Sequence, residues 1–230
     1  MNADDQLRSN AVELAVTALL ENPSYGAVYG DTMYIDEDGN LLKSYPTRAF
    51  DYEKLVIETE DFIPQPSVFI RANLLSQIGF LDEQLHYVMD YDFWLRLGCV
   101  KPMLYIPVEM AALRLHTRSK TIQSMQHFSN EFSLVFERLF DNPEFPENLQ
   151  QRREEILHTA YLHSASFCFW GGNTRLTHAY LRKAWRKKAF PLKRTFWLIL
   201  FFSLLGKLGM KLAVLLHGNP MRLEKGLLTK

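Results

Sequence analysis

Residues 25–43 read Tyr25-Gly26-Ala27-Val28-Tyr29-Gly30-Asp31-Thr32-Met33-Tyr34-Ile35-Asp36-Glu37-Asp38-Gly39-Asn40-Leu41-Leu42-Lys43. Val28, Tyr29, Met33, Tyr34 and Ile35 predict a strand over 25–36. Asp36-Glu37-Asp38-Gly39-Asn40 is rich in turn formers, and Leu41-Leu42-Lys43 starts a return strand, so the segment reads as a β-hairpin. Upstream, Val12, Ala15, Val16, Leu19 and Leu20 recur at helical spacing. They predict a helix over 8–21, with Ser9 or Asn10 as its cap and Asn22-Pro23 as its stop.

Working downstream, 51–58 reads as a short helix, and Pro64 and Pro66 bracket an extended stretch into a short strand from Ser67 to Ile70. Residues 72–78 look helical and Gly79 ends them. A helix over 90–98 follows, then strands over 103–108 and 110–115. From about residue 126 the pattern is helical throughout, over 126–140, 147–170, 173–188 and 192–217, separated by Pro143 and Pro146, Gly171-Gly172 and Pro191. The expectation is an α/β front (1–125) followed by an all-helical C-terminal region (126–230) with a basic tail.

Composition excludes several classes. Of 230 residues, 47 % are hydrophobic and 23 % charged, which argues against disorder and fibres. Two cysteines, Cys99 and Cys168, rule out a disulfide scaffold and nearly rule out a cysteine zinc site. The net charge is zero, but residues 1–125 hold 10 Lys+Arg against 18 Asp+Glu, and residues 182–230 hold 12 against 1. The acidic front is a poor nucleic-acid surface and a plausible place for a cation; the basic end suits an anionic partner. The first residues show neither a basic n-region nor an apolar stretch, so a signal peptide is not expected and a cytoplasmic location is.

Three places could carry chemistry. Asp4-Asp5 is a pair of adjacent carboxylates, suited either to a hard divalent cation shared with a substrate phosphate or to a solvated acidic helix cap. Asp90 opens a helix bearing Phe93, Trp94 and Leu97, where it is either an N-cap or a general base at the lip of a pocket. His116 begins the polar loop His116-Thr117-Arg118-Ser119-Lys120. Its imidazole suits a metal or a satisfied surface position, and Arg118 and Ser119 suit phosphate. The sequence holds no G-x-x-x-x-G-K-[ST], H-E-x-x-H, G-x-S-x-G or G-x-G-x-x-G motif.

Taken in order, these segments resemble family 2 glycosyltransferases. Asn2-Ala3-Asp4-Asp5 looks like the metal motif of that family. Asn22-Pro23, Val28-Tyr29-Gly30-Asp31 and Asp36-Glu37-Asp38-Gly39 follow in the same order. Next come Pro64-Gln65-Pro66-Ser67-Val68-Phe69, Ile78-Gly79-Phe80-Leu81-Asp82-Glu83, the segment from Met89-Asp90 to Trp94-Leu95-Arg96-Leu97, and Arg114-Leu115-His116 with Ser119 and Thr121. The resemblance spans residues 2 to about 123 and implies a partial GT-A fold with a Rossmann-like mixed sheet that lacks the N-terminal nucleotide-binding half. It implies inverting transfer from a nucleotide-sugar donor to a sugar or lipid-linked acceptor, with Mg²⁺ or Mn²⁺ as cofactor. Asp4 and Asp5 would hold the metal with His116 as a third ligand, and Asp4, Asp5, Arg118 and Ser119 would contact the donor. Asp90 would act as the base, with Arg96 bracing its helix and Trp94 in the core. The chain would then be a fragment, the product of a wrongly placed start, or half of a split enzyme whose partner is a second chain supplying the missing half. The competing expectation is a non-catalytic remnant serving as a binding or membrane-associated scaffolding module.

The tail adds one more expectation. Residues 195–216 are long and apolar enough to raise a membrane span, but Lys207 and Lys211 fall inside them. A core helix and a helix lying in an anionic membrane interface, which would make the protein peripheral at the inner face of the membrane, are the other two readings.

Overall fold

The computed structural model describes residues 3–115, 125–187 and 194–217. His116, Arg118 and Ser119 lie outside them. The chain divides into two compact units. The first comprises residues 1–56, 60–83 and 89–116; the second comprises 57–59, 84–88 and 117–230. The sheet belongs to the first and the run of long C-terminal helices to the second, an α/β region followed by a helical one.

In the first unit β1 (Gln6–Leu7), β2 (Ala27–Ile35), β3 (Leu41–Ser44), β4 (Phe69–Ile70) and β5 (Met103–Arg114) form one mixed sheet in the order β1-β5-β2-β3, with β4 beside the start of β2. β2 and β5 run parallel; the other pairings are antiparallel. The two strands expected over 103–115 are in fact one. Gly30 pairs with Ile106 but Asp31 pairs with Glu109, so Pro107 and Val108 are accommodated by a bulge and the strand continues. A bulge is where a strand tolerates proline, which has no N–H for the ladder. The two backbones approach closely there. A Cβ on Gly30 would stand 2.5 Å from the Met110 side chain and 2.6 Å from the Val108 carbonyl oxygen.

Helix α1 (Ala11–Glu21) forms where expected and ends at Asn22, whose backbone N–H and side-chain amide both donate to the Ala18 carbonyl. Its inward face differs from the expectation. Ala11 and Ala15 are buried with Val28 and Met110, and Ala18 and Leu19 pack against them, whereas Val12, Val16 and Leu20 are 55 %, 51 % and 73 % exposed. Small side chains let the helix lie close to the sheet. Asn10 occupies the cap position but makes no side-chain cap bond.

Helix α2 (Tyr52–Glu58) precedes the Pro64–Pro66 stretch, where a 3₁₀ turn over Gln65–Ser67 leads into β4. The expected 72–78 helix is a 3₁₀ turn followed by α3 (Leu75–Ile78), which Gly79 ends at φ +76°. Helix α4 (Met89–Val100) buries Tyr91, Phe93, Trp94, Leu95 and Leu97.

The second unit contains α5 (Met125–Leu139), α6 (Glu147–Gln150), α7 (Arg153–Trp170), α8 (Thr174–Arg186), α9 (Arg194–Leu204) and α10 (Gly206–His217). Helix α7 packs against both α5 and α8. Its buried residues, from Ile156 to Phe169, lie on nearly every side. Asn173 caps α8 by accepting from the Leu176 N–H at 3.0 Å. Two expected helices are broken: 147–170 at Gln151-Arg152, and 192–217 at Leu205, where Gly206 takes φ +56°. Among the described residues no helix is long and apolar enough to cross a membrane.

Candidate active site

Asp4 and Asp5 lead directly into β1, beside the C-terminal end of β5. Arg114, the last residue of β5, fixes both. Its backbone N–H donates to Asp5 Oδ1 at 3.0 Å, and its Nε donates to the Asp4 carbonyl at 3.0 Å. Its Nη1 donates to the carbonyls of Asp36 and Glu37, each at 2.8 Å. One side chain thus ties the acid pair to the hairpin turn. Asp5 is buried to 9 % exposure and Asp4 is half-buried. The acids lie at the carboxyl ends of the parallel strands β2 and β5, the edge at which open α/β sheets receive ligands.

The turn is self-organised. Asp36 Oδ1 accepts from the N–H groups of Asp38 (3.0 Å) and Asn40 (2.7 Å), and Oδ2 accepts from Asn40 Nδ2 at 2.9 Å. These bonds, the Asn40 amide foremost, hold the Asp36 carboxyl below its ordinary range. Gly39 supplies the φ of +91° that the turn requires.

Four residues back along β2, about 13 Å at ~3.3 Å per residue, the Thr32 carbonyl accepts from the Tyr45 N–H at 2.8 Å. Tyr45 in turn donates its hydroxyl to the Asp61 carbonyl at 3.2 Å. Burial is the main cause holding that phenol well above its usual pKa, with the charges of Asp61, Tyr34 and Asp90 adding to it. It therefore remains a donor across the neutral range.

Asp61 and Asp90 face one electrostatic environment. Asp61 Oδ1 accepts from the Ile63 N–H at 3.1 Å, and Asp90 Oδ1 accepts from the Tyr91 N–H at 2.8 Å. Both carboxyls are pushed up, Asp61 by burial and then by the charge of Asp90, Asp90 by burial. Asp61 nevertheless retains exposed surface and Asp90 is partly exposed.

Arg96 and Trp94 take structural places. Arg96 Nε donates to Asp92 Oδ2 at 2.8 Å, and its Nη atoms donate to the carbonyls of Ile78 and Phe80. It braces the segment ahead of Asp90. Trp94 is 4 % exposed, in the core. Neither Arg114 nor Asp61 was singled out from the sequence for these roles. Asp61 had one legible signal: it closes the acidic run Glu58-Thr59-Glu60-Asp61 just before the buried Phe62-Ile63.

Among the described residues no three of His, Cys, Asp and Glu gather as a metal cluster. Carboxylate oxygens are ligands of the kind Mg²⁺ and Mn²⁺ prefer, and such ions are commonly completed by substrate phosphate and water. Two other histidines are structural. His158 Nδ1 lies 3.0 Å from the Ala184 carbonyl, and His178 Nε2 lies 2.9 Å from Ser203 Oγ. Cys99 and Cys168 form no disulfide; Cys99 Sγ lies 2.9 Å from the Tyr52 hydroxyl.

An α/β unit with acids fixed at the strand ends and a carboxylate at a helix start is the class of protein these observations define. Comparison with known proteins is consistent with it. No protein-family profile matches the chain. The glycosyltransferase MJ1057 of Methanocaldococcus jannaschii is 26 % identical over 98 residues, covering 42 % of this chain and 33 % of that protein. The chondroitin synthase of Escherichia coli is 28 % identical over 141 residues, covering 60 % of this chain and 20 % of that protein. These distant similarities support a glycosyltransferase. The matched regions span a third or less of each relative.

Proposed function

We propose that the chain carries the metal-binding and acceptor side of an inverting glycosyltransferase of the family 2 type, with a nucleotide-sugar donor and a sugar or lipid-linked acceptor. Asp4 and Asp5 would hold Mg²⁺ or Mn²⁺, and the bound cation supplies charge neutralisation on the leaving diphosphate. Asp90 takes the proton from the acceptor hydroxyl as that oxygen attacks the anomeric carbon. Asp61, whose carboxyl is pushed up by burial and then by the charge of Asp90, resists ionising while Asp90 is ionised. Tyr45 positions Asp61 through its backbone carbonyl. Arg114 keeps the Asp4-Asp5 segment in place against the sheet. His116, Arg118 and Ser119 remain candidates for completing the metal and phosphate contacts.

The observation that carries this reading is Asp90 itself: a partly exposed carboxylate at a helix start whose proton affinity is raised by its surroundings. Its pKa thus moves in the direction a general base at neutral pH requires. The test is calorimetric titration with UDP- and GDP-sugars in Mn²⁺, followed by a radiolabelled transfer assay. Binding that EDTA and Asp5→Ala remove, with transfer that Asp90→Asn removes, is the expected result. Absence of binding by every donor in either metal overturns it and favours a scaffolding role.

A further inference from the structure

Among the described residues the helical unit has an outer face that its own packing leaves uncovered. Helix α9 turns Phe196, Ile199, Phe202 and Ser203 inward. Its opposite stripe, Trp197, Phe201 and Leu204, is exposed, as are Leu208 on α10 and Trp185 on α8, at between 50 % (Trp185) and 68 % (Leu204). The Trp185 and Trp197 rings lie 6.3 Å apart, centroid to centroid, so the exposed faces of α8 and α9 are continuous.

Cations interleave with these residues at helical spacing. Arg182 precedes Trp185 by three positions, Arg194 precedes Trp197 by three, and Lys211 follows Leu208 by three, spacings that place each pair on one side of its helix. Arg182, Arg186, Arg194, Lys207 and Lys211 make no ion pair among the described residues, whereas Lys183 and Lys187 pair with Glu137 and Glu154.

We propose that this face docks on the headgroup region of a bilayer containing anionic lipid. Tryptophans suit the boundary between headgroup and acyl chain. Leucines and Phe201 suit the layer beneath, and lysines and arginines reach back to the phosphates. The break at Gly206 leaves helices of 11 and 12 residues, where a span needs about 20, so the segment lies in the interface instead of crossing. A second copy of the same face would bring like charges together, and exposed leucines have no use for nucleic acid.

The test is co-sedimentation of the intact chain with vesicles of phosphatidylcholine alone or with phosphatidylglycerol, at low and high salt. Binding should require the anionic lipid, weaken with salt, and shift tryptophan emission to the blue. Phe201→Asp, at an exposed site, should abolish it while leaving the circular dichroism spectrum unchanged. The double variant Lys207→Gln with Lys211→Gln should weaken it about 25-fold, at about fivefold per cation. Failure to pellet with anionic vesicles, binding indifferent to lipid charge and salt, or Phe201→Asp binding like the parent overturns the proposal. So does a lipid-free dimer that Phe201→Asp dissociates, or RNA binding that vesicles fail to displace.

Discussion

Arg114→Ala removes one side chain and three hydrogen bonds, those to the carbonyls of Asp4, Asp36 and Glu37. A bond from a charged donor contributes about 1.5–3 kcal/mol net. The Glu37 carbonyl sits at an exposed turn and is rehydrated when the guanidinium leaves, so the three do not sum. A loss of about 2–3 kcal/mol follows, or about 5–10 °C at ~2–4 °C per kcal/mol for a chain of this size. The backbone N–H of residue 114 survives the change and still donates to Asp5, so the acid pair loosens at Asp4 while Asp5 keeps this anchor. Donor binding in Mn²⁺ should weaken without vanishing. Thermal unfolding gives the first quantity. Amide hydrogen exchange gives the local one, with the Asp38 and Asn40 N–H groups exchanging faster once the turn is released from β5. Arg114→Lys keeps the charge but not the planar fork and should fall between. A stability change below about 0.5 kcal/mol, the range of an ordinary surface substitution, with turn exchange unchanged would refute the clamp.

Asp90→Asn should lower turnover at least about 10²-fold while calorimetric donor affinity barely moves; equal losses in both would make Asp90 structural. Because burial raises the Asp90 pKa, the native state holds that proton more tightly than the unfolded chain. Its contribution to stability is therefore full below the ordinary carboxylate range and is lost as pH rises toward the raised native value. Asp90→Asn should flatten that part of the stability–pH curve, and the wild-type rate should fall on the acid side as the base becomes protonated. Asp5→Ala should abolish metal-dependent donor binding with the far-ultraviolet spectrum unchanged, and activity persisting in EDTA would contradict the cation's role. Gly30→Ala should cost about 1–3 kcal/mol by forcing Met110 and the Val108 carbonyl away from β2, read as a lowered urea midpoint.

Periodicity located the elements because helices and half-buried strands write their spacing into neighbouring residues. It mislabelled the face of α1 because apolarity and closeness are different demands. Val12, Val16 and Leu20 are the more apolar choices, but only the alanine side lets the helix settle on Val28 and Met110. It divided β5 at Pro107-Val108, since a bulge and a strand end look alike until the partner strand is known. The break at Leu205 was hidden in the same way, because a glycine inside an apolar run signals a kink only when its φ turns positive. The roles of Arg114 and Asp61 lay beyond any local pattern. Arg114 meets Asp5 across 109 sequence positions, and the neighbour that raises the Asp61 pKa after burial is Asp90, in a separate element. By contrast Arg96 was legible as a brace because Asp92 lies one helical turn before it.

The contacts described for the first unit also show why the two ends of the candidate site have a fixed separation. The acid pair is tied by Arg114 to the turn at Asp36 and Glu37, and the turn is the head of a hairpin whose strands are in register from Met33 with Ser44 to Ile35 with Leu41. At the far end Tyr45 bonds to Thr32 with its N–H and to Asp61 with its hydroxyl. The spacing between the acid pair and the Tyr45–Asp61 contact is therefore a count of residues along β2 and β3, not a property of a flexible loop. Side chains alternate along a strand, so a slip of one residue would carry the Tyr45 ring to the opposite face and leave Asp61 without its phenol. The irregularity between Tyr34 and Ile35 lies on the turn side of that contact, where it adjusts the return of the chain without altering the pairing of Tyr45 with Thr32. Register, which folding must set in any case to bury Tyr29 and Ile35, thus also sets the distance between Asp4-Asp5 and the Tyr45–Asp61 contact.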